Sequence, residues 1–282
     1  MKFILGIANF DQDYGLTNKI HKKSIDKILN FIIRKNILEI DTATNYKKSN
    51  IVLSKSKLKN QFKINLKIPR IHGTNYKKKI NHYLKDFKHK HGIKKLNSVM
   101  FHDPKQIFEK KIIDVIDHLK FLKKANEIQQ FGFSIYSLKE LEKILKITNP
   151  DIIQVPLNIF DQRFVNQKLL KKIEISKIQI QFRSIFLQGV ALHKTNFKNK
   201  KTEQIIRNYW KKIEQKNIDP LKNTMMLLSR YRKKGQFIIS GDTIKQFKEI
   251  MSNKDIKLNK KKFLNFRTKY EKLIIPYLWQ KK

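Results

Sequence analysis

Eight short runs rich in β-branched and aromatic residues alternate with longer amphipathic stretches along the whole chain, and this alternation constrains the fold more than anything else in the sequence. The runs are Phe3–Ile7, Ile37–Ile40, Phe62–Leu66, Ser98–Phe101, Gln130–Phe133, Asp151–Val155, Ile178–Phe182 and Gln236–Ile239. Runs this short and this apolar read as strands covered on both faces. The stretches between them repeat apolar residues at helical spacing, as Ile25, Ile28, Leu29, Ile32 and Ile33 do. Ser24 is expected to cap that first helix, with Asp26 in its first turn. Further helices are expected over roughly 48–58, 75–90, 105–126, 137–147, 202–216, 220–233, 243–251 and 259–272, the one over 105–126 opening at Asp103-Pro104.

Strands separated by helices must run parallel, because parallel neighbours need a crossover between them. Eight such units close into a (β/α)8 barrel, for which 282 residues is an ordinary length. An open, doubly wound α/β sheet is the alternative, but no Gly-x-Gly-x-x-Gly run follows any strand. No Pro-, Gly- or Ser-rich linker divides the chain, so residues 1–282 are expected to form one domain.

The formal charge of +40 suggests a polyanion as partner at first sight. Of the 63 basic residues, however, only eight are Arg, the residue whose fork suits bases and phosphates, and the Lys residues are spread over nearly every expected helix. Lys, Ile and Asn share A/T-rich codons, so a biased genome accounts for the charge. A specific nucleic-acid partner is not expected. Disulfides and thiolate chemistry are excluded by the lack of cysteine. His82, His89 and His91 have no metal-site spacing, so no metal is expected. No apolar run reaches membrane-spanning length, and the opening residues lack a cleavage site, so a cytoplasmic protein that does not enter membranes is expected.

In a (β/α)8 barrel the chemistry sits at the C-terminal ends of the strands. The second strand ends at Asp41, with Tyr46 shortly after; the third ends at Lys67 and the fourth at His102. Together these residues suit proton donation. A free phenol, with a pKa of about 10, is a weak acid at neutral pH; an ammonium beside it favours the phenolate, and a carboxylate fixes that ammonium. An imidazole next to the phenol can orient the substrate oxygen. Each residue has a plainer reading too, as a solvated lysine, a core-edge ring or a helix cap, but three consecutive strand ends carry them together.

Ile40-Asp41-Thr42-Ala43 with Tyr46, Leu66-Lys67-Ile68 and Phe101-His102-Asp103 resemble the catalytic segments of aldo-keto reductases. The resemblance implies that Tyr46 is a general acid, that Lys67 and Asp41 tune it, and that His102 orients the substrate. It also implies a nicotinamide cofactor. Ser134 and Gln154 match positions that contact the nicotinamide amide. Arg183, Ser184, Phe186, Gln188 and Gly189 fall in the stretch that cradles cofactor after the seventh strand, and Ser240, Gly241, Thr243, Lys245, Gln246 and Glu249 at its adenosine end. Arg183 stands where the family usually has an aromatic residue, and Ser134 is followed by Ile135 rather than Asn. The family's phosphate-binding Lys-Ser is missing, so an expected preference for NADPH, with NADH possible, rests on Lys245 and Lys248.

Leu5–Phe10 with Tyr14-Gly15, and Asn158–Arg163, resemble a bacterial branch associated with surface-polysaccharide and sugar-nucleotide pathways. The sequence therefore leads to a reductase of an aldehyde, ketone or sugar carbonyl, working as a monomer or small homo-oligomer. A barrel that binds cofactor but turns over little, in a regulatory role, is the alternative.

Overall fold

The computed structural model describes residues 1–11, 13 and 20–279; Tyr14 and Gly15 lie outside them. Eight strands follow one another in chain order: β1 (Phe3–Gly6), β2 (Glu39–Ala43), β3 (Lys63–Ile68), β4 (Leu96–Phe101), β5 (Ile128–Ser134), β6 (Ile152–Pro156), β7 (Gln179–Arg183) and β8 (Gln236–Ile239). Each pairs in parallel with the next, and β1 pairs with β8 through Phe3 opposite Phe237 and Leu5 opposite Ile239, so the sheet closes into a barrel. Between the strands run α1 (Lys22–Arg34), α2 (Lys47–Lys55), α3 (Tyr76–His91), α4 (Ile112–Lys124), α5 (Leu138–Ile147) and α6 (Gln167–Ile175). Helices α7 (Lys200–Gln215) and α8 (Pro220–Arg230) precede β8; α9 (Ile244–Ser252) and the one-turn α10 (Glu271–Ile274) follow it. The (β/α)8 barrel expected from the sequence is the fold observed.

The helices pack apolar stripes onto the barrel and leave their lysines in water, as α1 does with Ile25, Ile28, Leu29 and Ile32 inward. Gly132 has to be glycine, because a Cβ there would lie 2.0 Å from the Ile152 carbonyl oxygen of the neighbouring strand. Among the described residues no helix is long and apolar enough to cross a membrane, and no His/Asp/Glu group is arranged to hold a metal.

Four local readings of the sequence need correction. Helix α1 begins at Lys22 with His21 as its N-cap, and Asp26 accepts a hydrogen bond from Ser56 beside α2 (2.7 Å) instead of serving the first turn. The helix expected over 105–126 is split. Asp103 does cap a turn at Pro104–Phe108, but Gln106 turns inward to accept the Ile71 amide (2.6 Å), and α4 starts only at Ile112. Helix α6 had no counterpart in the sequence reading, although Asn166 caps it by accepting from the Leu169 amide. The helix expected over 259–272 is nearly absent. Asn223 on α8 accepts from the Leu264 amide (2.8 Å) and donates to its carbonyl (3.0 Å), and the Thr268 amide donates to the Phe160 carbonyl (2.8 Å), which holds the segment out of a helix. Those long-range bonds outweigh a lysine-rich local helix preference.

The N-terminal mouth of the barrel is closed by amide side chains gathered around one carboxylate. Glu39 accepts from Asn65 (3.0 Å) and from Gln236 (2.9 Å). Asn97 (2.8 Å) and Ser98 (2.7 Å) donate to Asn65, Gln179 donates to Gln236, and Gln130 donates to Gln179 (3.3 Å). Six strands are thereby tied together, and replacing the carboxylate leaves enclosed N–H groups without an acceptor. Glu39→Leu is expected to destabilise the fold by roughly 2–4 kcal/mol in urea unfolding, each bond to a charged group being worth about 1.5–3 kcal/mol, while chemistry at the opposite mouth is unchanged per folded molecule.

Candidate active site

At the C-terminal mouth, β2 and β3 are in register with Ala43 opposite Lys67. Asp41, two residues before Ala43, points into the bore like it, and the small Ala43 leaves room for the lysine stem. Lys67 donates from Nζ to Asp41 Oδ2 at 2.6 Å, with the two residues only 4% and 5% exposed. Behind the pair lies Gln154, fully enclosed on β6. It donates to the other Asp41 oxygen (2.8 Å) and to Gln181 (3.2 Å), and accepts from Lys67 (3.3 Å) and from Ser134 (3.4 Å). An ion pair taken out of water needs such extra bonds to offset its desolvation.

Tyr46 forms the N-cap of α2. Its place is fixed by Asn50, whose side chain accepts from Thr42 and donates to the Ala43 carbonyl, both at 2.8 Å, and whose amide donates to Tyr46 O (2.9 Å). The Lys67 ammonium lies over the Tyr46 ring, 5.9 Å from its centre. His102 follows β4 directly, its amide donating to Ile68 O (2.9 Å), and its ring meets Tyr46 edge to face at 5.9 Å. Burial, then the charges of Lys67 and Arg183, push the His102 imidazole down to about 3. It is therefore neutral at physiological pH.

These four side chains form the floor of a cleft of about 920 Å³, at the upper end of the usual range for ligand sites. Ser134, Arg183, Ser184, Phe186, Gln188, Gly189, Ser240, Gly241 and Gln246 also line it. Gln154 stands behind the wall, without cleft surface. Thr243 caps α9 by accepting from the Gln246 amide, Glu249 lines a small side recess, and Lys245 and Lys248 are exposed on α9 outside the cleft. The motif Asn158–Arg163 is spent on the fold. Asn158 accepts the Phe160 and Asp161 amides, and the enclosed Asp161 carboxylate holds Arg163 through two bonds of 2.9 Å.

Sequence reasoning did not assign an aromatic wall. Tyr136 packs edge-on to Tyr277 and Phe197 edge-on to Trp279, both pairs at 5.2 Å, and all four residues line the cleft. The aromatic-rich Pro276–Trp279 segment was a visible signal, but its route back over the barrel mouth depends on the non-helical path of the preceding residues.

A family model for the aldo/keto reductase family matches residues 2–271. The chain belongs to the aldo/keto reductase family. Among solved structures, an aldo-keto reductase from Bacillus halodurans in its holo form is 13% identical, with 99% of this chain and 94% of that one aligned at a TM-score of 0.73. A putative aldo-keto reductase from Pseudomonas aeruginosa is 14% identical, covering 90% of this chain and 89% of that one at 0.66. A mutant of the protein Gox0644 in complex with NADPH is 15% identical, covering 95% and 90% at 0.65. At such identities the likeness is one of fold. No curated protein matches the sequence. The family places the reductase among oxidoreductases acting on carbonyl groups.

The neutral His102 has a consequence for acid stability. The unfolded chain takes up a proton near the ordinary imidazole pKa of 6.5, whereas the folded one holds out to about 3. This group's contribution is therefore present above pH 6.5 and lost as the pH falls towards 3. His102→Gln is expected to flatten the acid limb of the stability curve in that window, measured by urea unfolding at successive pH values.

Proposed function

We propose that this chain reduces an aldehyde, ketone or sugar carbonyl to the alcohol, with NADPH as cofactor and Tyr46 as general acid. The observation that carries this reading is the convergence of Asp41, Tyr46, Lys67 and His102 on one cleft floor. When bound, the reduced nicotinamide supplies the hydride. Tyr46 gives its hydroxyl proton to the carbonyl oxygen as charge develops there. Lys67, 5.9 Å from the centre of the ring, stabilises the phenolate left behind, and Asp41 with Gln154 holds the ammonium in place. His102, neutral over the working range, orients the carbonyl oxygen without competing for the proton.

The cleft suits a dinucleotide in size and in chemistry. A small carbonyl compound would fill only part of 920 Å³, and the wall that carries His193 and Lys198 offers N–H donors to phosphate oxygens. In this reading Ser134 and Arg183 hold the nicotinamide end, and Ser184, Phe186, Gln188 and Gly189 the middle. Ser240, Gly241, Thr243, Gln246 and Glu249 surround the adenosine end. Lys245 and Lys248 give the edge to NADPH over NADH by attracting the extra phosphate from their exposed positions on α9. The protein acts in the cytoplasm, alone or as a small homo-oligomer, and its charge draws polyanions without reading sequence.

Tyr46→Phe keeps the ring and its packing but removes the proton. Reduction across an aldehyde panel is expected to fall by at least ~100-fold, the lower scale for loss of a general acid, with NADPH binding and melting temperature nearly unchanged. Wild-type rates in the variant would overturn the mechanism. Lys245→Ala is expected to weaken NADPH binding and leave NADH binding alone; an unchanged ratio of the two affinities would remove the argument for NADPH.

A further inference from the structure

Arg183, on the cleft wall, differs electrically from Lys67 on its floor. Lys67 is neutralised by Asp41 at 2.6 Å. Arg183 is tied to neutral oxygens: Nε donates to Ser134 Oγ (3.2 Å), one terminal nitrogen to Ser184 Oγ (3.3 Å) and the other to the Ile135 carbonyl (2.9 Å). Tyr136 covers the guanidinium at 4.0 Å and is itself braced edge-on by Tyr277. The group is thus a fixed plate whose charge is paired with no carboxylate among the described residues. With its edge fastened and one face against Tyr136, it turns chiefly its remaining face to the cleft. Its charge is felt at His102, where it helps to suppress protonation.

We propose that Arg183 makes this cleft discriminate between the redox states of its dinucleotide, holding the reduced form and expelling the oxidised one. This rests on the reductase reading above. A hydride passes only between atoms in contact, so the nicotinamide ring must lie against a carbonyl held by Tyr46 and His102, within the field of Arg183. The reduced ring is neutral. Loss of the hydride turns it into a cation, and a second cation close by in a partly desolvated cleft repels it. Both forms carry the same phosphates, so the difference in their affinities isolates the charge on the ring. The consequence for turnover is quick release of the spent cofactor, at the cost of a less downhill hydride transfer.

The test is calorimetric titration with NADPH and with NADP+ of the wild-type protein, Arg183→Tyr, Arg183→Met and Arg183→Lys. The wild type is expected to bind NADPH at least about tenfold more tightly than NADP+, the order expected for one nearby charge. Arg183→Tyr keeps a plate without charge, and Arg183→Met removes both; each is expected to shrink that preference by about tenfold. Arg183→Lys keeps the charge without the plate and is expected to retain most of it. A ratio that is the same in all folded variants, checked by melting curves, overturns the proposal while leaving the reductase reading intact. So does an unchanged ratio combined with a raised KM for carboxylate-bearing aldehydes in the neutral variants, which would make Arg183 a substrate anchor. Failure of the wild type to bind either dinucleotide removes the cofactor reading and this inference together.

Discussion

The ammonium of Lys67 lies inside the barrel almost out of reach of water, and Asp41 and Gln154 supply what makes that tolerable. Removing either ion partner strands a charge at a cost of several kcal/mol. The pair therefore fixes more than its own geometry. Asp41 comes from β2, Lys67 from β3, and Gln154 reaches them from β6 across the bore, so satisfying one charge requires strands from opposite sides of a closed barrel. Tyr46 and His102 are placed relative to that pair through the ends of β2 and β4. The cleft floor is in this sense a by-product of hydrogen-bonding a buried lysine.

The two mouths of the barrel solve the problem of enclosed polarity differently. At the N-terminal mouth one carboxylate, Glu39, gathers amides from other strands into a network that has a structural task only. At the C-terminal mouth the carboxylate is paired with a cation and left facing a cleft. Arg183 adds a charge there that pairs with no acidic side chain among the described residues, a state that a barrel optimised for stability alone has no reason to keep. The net charge of +40 has little part in this, because most of it sits on scattered lysines in water. The single guanidinium on the cleft wall matters more to the chemistry proposed here than the many lysines outside.

The barrel and the positions of Asp41, Tyr46, Lys67 and His102 were legible in the sequence for one physical reason. Parallel strands buried on both faces leave short apolar runs, and a polar residue directly after such a run has nowhere to go but the mouth. Alternation of strand and helix settled the topology, since parallel neighbours demand crossovers and eight of them close. Long-range hydrogen bonds were not legible. Asn223 opens the chain at Leu264, where lysine-rich amphipathy pointed to a helix, and Gln106 breaks the helix that Asp103-Pro104 opens. Gln154, read from the sequence only as a match to a nicotinamide contact, also braces Asp41 and Lys67, and that role depends on partners from β2 and β3. The stacking of Arg183 on Tyr136, and the return of Tyr277 and Trp279 over the cleft, unite residues of distant segments. The sequence by itself determined which groups stand at the ends of the strands, because local periodicity fixes that. Only the tertiary structure decided which of them are neutralised, braced or left charged, because burial and partnership depend on what the rest of the chain brings alongside.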